Sequence, residues 1–181
     1  MQRPEKLVVV SNRGPYRTEA RTKRLVRAAG GLVAALDPVL RARGGVWVSA
    51  QETDHPQVEH ADGAGYDIGL VELSRRTQVD FYEGVSNAVL WPLLHGMPPT
   101  VRLGTAPWRS YEIANAAFAE ATLAAAPEEG ARFWIHDYHL MLVPAMLRER
   151  RPRAKIGWFC HVPWPSPDVF VVLPRAAQVL D

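Results

Sequence analysis

Two sets of residues predict an α/β protein built on a doubly wound, mostly parallel sheet. Leu7-Val-Val-Val10 is short, β-branched and apolar at every position, and it stops at the turn-forming Ser11-Asn-Arg-Gly-Pro15. Runs of this kind form central strands covered on both faces. In the last third, residues 132–135 and 155–162 read as strands and residues 139–150 between them as a helix. Such alternation yields parallel strands joined by helical crossovers, a Rossmann-like architecture.

The remaining elements follow in order. Residues 17–27 are polar and basic and read as a solvated loop leading to Ala29-Gly-Gly-Leu32. Residues 32–42 carry apolar side chains at helical spacing, with a kink expected at Pro38. Val46-Trp-Val48 is a second strand and residues 66–73 a third. Residues 81–94 alternate too irregularly for a strand and read as a helix with an aromatic face. Residues 108–126, rich in alanine and stopped by Pro127 and Gly130, form the clearest helix. Pro163-Trp-Pro-Ser-Pro167 breaks the chain, and a last helix starts near Asp168. There is no internal repeat or interdomain linker, so residues 1–181 are expected to form one domain, and the chain ends within a helical segment at Leu180-Asp181.

Composition narrows the class. The chain has 181 residues, 48% hydrophobic and 22% charged, as one soluble globular domain does. A domain of that size buries roughly 70% of its unfolded surface and needs no disulfide or metal staple. A net charge of +2 and an isoelectric point near 8.9 are too mild to point to nucleic acid. The single cysteine, Cys160, excludes a disulfide framework and suits a reducing cytoplasm. Residues 1–6 lack the apolar stretch of a signal peptide, and no apolar run is long enough to span a bilayer. The expectation is a soluble, cytoplasmic protein without a nucleic-acid or membrane partner.

Ligands of open α/β sheets bind beyond the carboxyl ends of the strands, so the residues that follow each strand are the candidates. Those residues are Ser11-Asn-Arg13, His136-Asp-Tyr-His139 and His161. Arg13 offers a planar fork suited to a phosphate, with a surface salt bridge as its plain alternative. Gly30-Gly31 before a helix lets an anion approach backbone N–H groups, although a turn alone explains most such pairs. Arg17, Arg21, Lys23, Arg24 and Arg27 could draw anions to that mouth or simply be solvated. Asp137 is placed to accept hydrogen bonds from sugar hydroxyls or to cap the helix that begins there. His161 is placed to donate to a hydroxyl or carbonyl, or to orient the proline-rich turn. The histidines show no spacing dedicated to a metal, so none is expected. Tyr82 and Trp91, nine residues apart, fall on opposite faces of a straight α-helix and read as core.

Five blocks occur in an order that resembles a known family: Val9-Val-Ser-Asn-Arg13, Ala29-Gly-Gly-Leu32, Phe81-Tyr-x-x-Val-Ser-Asn-Ala-Val-Leu-Trp-Pro92, Trp134-Ile-His-Asp-Tyr-His-Leu140 and Ile156-Gly-x-Phe-x-His-x-Pro-x-Pro165. They are similar to the signature blocks of the N-terminal domain of trehalose-6-phosphate synthases. The resemblance runs from about residue 7 to the end and is weakest between residues 48 and 78. It implies one half of a two-Rossmann-domain (GT-B) retaining glycosyltransferase. Such enzymes transfer glucose from UDP-glucose or another nucleotide-glucose to glucose 6-phosphate, with no metal or other cofactor. It further implies that Arg13 and Tyr82 bind the acceptor phosphate and that Trp91 and Asp137 contact the acceptor sugar. Gly31 would lie against the donor diphosphate and His161 against the donor sugar, with His161 and Asp137 nearest the reacting centre.

Two departures accompany the resemblance. The family's Gly-Trp pair after the strand-two tryptophan is replaced, since Trp47 is followed by Val48-Ser-Ala-Gln51. That leaves open a related synthase with a different acceptor, such as a synthase of glucosylglycerol phosphate or one that builds on a cyclitol phosphate. The family's second, nucleotide-sugar-binding domain is absent from this sequence. The expectation is a split or truncated enzyme half that works with a separate donor-domain chain or as a homo-oligomer, the alternative being a non-catalytic sugar-phosphate-binding domain.

Overall fold

A computed structural model describes residues 5–18, 25–50, 65–97, 105–173 and 175–180. Strand β1 (Leu7–Ser11) leads into a hairpin of β2 (Tyr16–Thr18) and β3 (Leu25–Arg27), followed by helix α1 (Gly31–Arg43). Strands β4 (Val46–Ala50) and β5 (Asp67–Val71) come next, then α2 (Arg75–Val79), a π-helix (Asp80–Leu90), α3 (Trp91–Leu94) and the long α4 (Thr105–Ala125). The chain closes with β6 (Arg132–His136), a 3-10 turn (Tyr138–Leu140), α5 (Val143–Arg150), β7 (Lys155–Phe159), α6 (Pro167–Phe170) and α7 (Ala176–Leu180).

The five main strands form one sheet in the order β5-β4-β1-β6-β7, and every neighbouring pair is parallel. The chain builds outward from β1 through β4 and β5, then crosses to the other side of β1 for β6 and β7. That reversal opens a crevice between β1 and β6 at their carboxyl ends.

Alternation along the strands explains the two core layers. Val8 and Val10 of β1 and Val46 and Val48 of β4 pack towards the π-helix and α4. Leu7, Val9 and Trp47 point the other way, onto Val33, Leu36 and Leu40 of α1. Strand β1 is therefore buried at every position, as its unbroken apolar sequence requires.

Several expected elements differ. The basic segment 17–27 is a hairpin over the residues described, and Arg21, Lys23 and Arg24 lie outside the described residues. Arg27 of that hairpin donates to the buried carboxylate of Asp37 at 3.1 Å, which also accepts from Arg41 at 3.0 Å and from the Tyr66 hydroxyl at 2.7 Å. These bonds fasten the hairpin to α1. Helix α1 runs through Pro38. The third strand is shorter than 66–73, and β7 ends at Phe159 rather than at residue 162.

The expected helix 139–150 is broken after Leu140. The buried Tyr111 hydroxyl accepts from the Met141 N–H at 3.2 Å, and Asn115 Oδ1 accepts from the Leu142 N–H at 3.1 Å. Side chains of α4 thus take the donors that a continuous helix would bond to itself, and α5 starts only at Val143.

Candidate active site

The loop after β1 is held in place by small-residue packing. The Ser11 hydroxyl donates to the Arg13 carbonyl at 2.7 Å and accepts from Trp47 Nε1 at 2.8 Å. A Cβ on Gly14 would stand 2.6 Å from Ser49 Oγ and 3.3 Å from Ser49 Cβ, so a larger residue would require the Ser49 side chain to turn aside. Arg13 is exposed. Its Nη2 donates to the Tyr82 hydroxyl at 2.5 Å, and its guanidinium carbon lies 5.5 Å from the Tyr82 ring centroid.

Tyr82 stacks on His139, with ring centroids 5.6 Å apart and planes 13° from parallel. His139 Nδ1 is 3.5 Å from Asp137 Oδ2. Asp137 Oδ1 accepts from the Tyr138 N–H at 3.0 Å and, at 3.4 Å, from the backbone N–H of His161. The His161 ring in turn meets the buried His136, with Nε2 and Nδ1 3.0 Å apart. Arg13, Tyr82, Asp137 and His161 are therefore joined, through His139, in one continuous run at the carboxyl end of the sheet.

Asp137 adopts φ 75° and ψ 167°, a combination reserved almost entirely for glycine. Strain of that kind costs about 1–3 kcal/mol and persists only where the surroundings dictate it. Here β7 does so: the Asp137 N–H donates to the Phe159 carbonyl at 2.7 Å, and the Asp137 carbonyl accepts from Trp158 Nε1 at 3.1 Å. The carboxylate does cap, but it caps the 3-10 turn and not α5. Burial works against its charge, yet the hydrogen bond from His139, with those from the Tyr138 and His161 N–H groups, outweighs burial and holds the carboxyl below its ordinary value. At His136, burial first and the neighbouring His161 second push the ring down to about 4, against the pull of Asp137, so it is neutral at pH 7.

Comparison with known proteins gives this arrangement a lineage. Residues 5–181 match the model of glycosyltransferase family 20. The chain belongs to that family.

The trehalose-6-phosphate synthase of Mycolicibacterium smegmatis is 41% identical over 181 residues, covering 96% of this chain and 35% of that protein. The E. coli trehalose-6-phosphate enzyme, solved with UDP-2-fluoro glucose, superimposes with a TM-score of 0.80 at 32% identity, covering 97% of this chain and 37% of that one. The Burkholderia xenovorans α,α-trehalose-phosphate synthase, solved with glucose 6-phosphate, gives 0.78 at 28% identity, covering 97% and 37%. This family 20 chain thus spans little more than a third of the relatives it matches, and its sheet is the N-terminal half of their GT-B fold.

Trp91 and Gly31 stand apart from the connected run. Trp91 is 41% exposed and packs on the His95 ring at 4.2 Å. Its relation to Tyr82 differs from the sequence expectation because the intervening helix is π rather than α. Bonds run from i to i+5, as between the Trp91 N–H and the Ser86 carbonyl, and the buried Ser86 hydroxyl bonds the Phe81 carbonyl at 2.9 Å. Nine residues make two and a half turns of an α-helix but close to two of this wider one, which brings Tyr82 and Trp91 round to one side. Neither is fully buried. Gly31 starts α1 behind Gly30, which has no side-chain cap to offer, and a Cβ on Gly31 would meet nothing within 4 Å among the described residues. Among the described residues, then, nothing crowds the N-terminus of this family 20 helix at the carboxyl end of the sheet, a setting suited to an anion.

Two members of the run, His136 and His139, carried no role in the sequence beyond the metal question. Among the described residues, no group of three or more His, Cys, Asp or Glu side chains is arranged to hold a metal ion. Their roles depend on which ring nitrogen meets which partner, for which spacing carries no signal. Among the described residues, no helix is long and apolar enough to cross a membrane.

Proposed function

We propose that residues 1–181 form the N-terminal, acceptor-side half of a retaining glycosyltransferase that moves glucose from UDP-glucose or another nucleotide-glucose to glucose 6-phosphate, as in trehalose biosynthesis. The Arg13–Tyr82 pair carries this reading, since a guanidinium and a phenol held 2.5 Å apart beside Asp137 form a ready receptor for a sugar phosphate. Arg13 and Tyr82 would take the phosphate, Trp91 and Asp137 the acceptor sugar, Gly31 the donor diphosphate and His161 the donor sugar. Relatives solved with UDP-2-fluoro glucose and with glucose 6-phosphate support both substrate classes.

The chemistry asked of such a half is placement rather than covalent catalysis: it fixes the acceptor hydroxyl near the donor carbon and offers fixed dipoles to developing charge. The remaining length of the relatives would supply the rest of the donor site, as a separate chain or a fused portion. The single half-buried cysteine suits a reducing cytoplasm.

The test is an assay for trehalose 6-phosphate from UDP-glucose and glucose 6-phosphate. It is run on the chain alone and on the chain fused to the C-terminal portion of the M. smegmatis relative. Product from the fusion and none from the chain alone is expected. Turnover by the isolated chain would refute the half-enzyme reading. No product from a folded fusion that still binds glucose 6-phosphate would favour a non-catalytic sugar-phosphate domain.

A further inference from the structure

We infer that His136 is a positioning residue that sets the tautomer of His161, holding its proton on Nδ1 while its Nε2 is spent as an acceptor inside the protein. His136 ends β6 with its ring 1% exposed, whereas His161 follows β7 and is open to solvent. Their rings lie 27° from parallel with Nδ1 of His136 3.0 Å from Nε2 of His161. Two neutral imidazoles that share one hydrogen bond have only two arrangements, because one nitrogen must bring the proton and the other must be bare.

In the first arrangement His136 Nδ1–H donates, its own Nε2 is bare, and the proton of His161 sits on Nδ1. In the second, His161 Nε2–H donates, and His136 must carry its proton on Nε2. The deciding observation is that His136 Nε2 is buried and meets no hydrogen-bond partner among the described residues. The second arrangement leaves a buried N–H orphaned, which folded proteins rarely tolerate. The first leaves only an unused lone pair. A doubly protonated His136 is opposed by the same burial.

His139 shows the same solution in the same site. Its Nδ1 faces the Asp137 carboxylate at 3.5 Å, and an ionised carboxylate can only accept, so Nδ1 carries the proton. Its Nε2 is likewise buried without a partner among the described residues. In both rings the outward bond is made by Nδ1–H, and the nitrogen left in the interior is bare.

The consequence falls on His161. With Nε2 occupied by His136, the nitrogen left for a ligand is Nδ1, and it bears a hydrogen. His161 is then a neutral donor that recognises an oxygen acceptor, such as a sugar hydroxyl or a phosphoryl oxygen, and it has no free lone pair with which to act as a general base. The identity of that ligand rests on the glycosyltransferase reading above. The tautomer does not, because it is a property of the chain itself.

Long-range ¹H–¹⁵N correlation spectra of the labelled 181-residue chain at about pH 8, above the usual imidazole range, read the tautomers directly. His161→Gln and His136→Asn variants assign the signals. The expected result is a pyrrole-like Nδ1 and a pyridine-like Nε2 in both rings, with a bias of roughly tenfold or more towards that form. His136→Leu, which removes the donor, should return His161 to an averaged mixture. His136→Asn, whose amide can place an N–H near the position of Nδ1, should restore the bias. A pyrrole-like Nε2 or an averaged mixture at His161 in the unmodified chain overturns the inference, and that arm needs no variant to fold. An unchanged His161 pattern in folded His136→Leu overturns it as well. Failure of His161 to respond to UDP-glucose in the chain fused to the C-terminal portion of the M. smegmatis relative would count against the glycosyltransferase reading and leave the tautomer result as it stands.

Discussion

Replacing Asp137 by glycine and by alanine separates the strain at this position from the work of its carboxylate. Both variants lose the bonds to the Tyr138 and His161 N–H groups and the contact with His139. Alanine keeps a Cβ at φ 75°, ψ 167°, so the strain of about 1–3 kcal/mol remains and loss of the cap adds about 0.5–2 kcal/mol. Glycine removes the strain and caps within a few tenths of a kcal/mol of aspartate. Against this it adds about 0.5–1 kcal/mol of unfolded-chain entropy. Glycine should therefore be about 1–3 kcal/mol more stable than alanine and close to the natural chain. With a urea slope of about 2 kcal/mol/M, a 2 kcal/mol gap separates the two midpoints by about 1 M. Urea melts of the three proteins followed by glucose 6-phosphate titration make the comparison. The two variants should bind the acceptor equally weakly while differing in stability. An alanine variant as stable as the glycine one would refute the claim that this backbone is strained.

Three further outcomes are expected. Glucose 6-phosphate should bind the chain more tightly than glucose, and Arg13→Ala should abolish the difference; calorimetry showing equal affinities in the natural chain would count against the phosphate site. Asn115→Ala should cost more than about 2 kcal/mol in a urea melt, because it strands the buried Leu142 N–H and the His139 carbonyl; a smaller loss would mean that those groups find other partners. Stability should fall on acidification. His136, at about 4 when folded against 6.5 when free, takes its proton first in the unfolded chain, so its contribution is complete above about 6.5 and lost between there and 4. It amounts to about 3 kcal/mol at most. The lowered carboxyls of Asp137 and Asp37 act with the same sign, their contributions being lost as pH falls through the lowered values. His136→Asn should flatten the limb between pH 6.5 and 4, as read by thermal melts across pH, and an unchanged limb would remove His136 as its cause.

What the sequence disclosed were the features that a local pattern determines. The apolar run of β1 and the alanine-rich α4 each need only their own residues to be read. The rule that ligands lie beyond strand ends was enough to single out Arg13, Asp137 and His161, and the run joining them lies at the carboxyl end of the sheet. The rest depends on partners distant in sequence. The break before α5 is made by Tyr111 and Asn115 of α4, and the phase of Tyr82 against Trp91 is set by i to i+5 bonding around the buried Ser86. No periodicity in residues 81–94 announces that wider turn. The backbone of Asp137 was equally hidden, because its strain is imposed by β7.

The connected run from Arg13 through Tyr82, His139, Asp137 and His161 to His136 also bears on how this site can change over generations. Each member holds its neighbour, so a substitution at one alters the setting in which the next is judged, and contacting residues of this kind depart from additivity by about 0.5–3 kcal/mol. Drift at such a site proceeds by paired replacements rather than by independent single steps. On the proposed reading, in which Trp91 contacts the acceptor sugar, a shift of acceptor specificity would be reached more readily from Trp91, which lies outside the run, than from any residue within it.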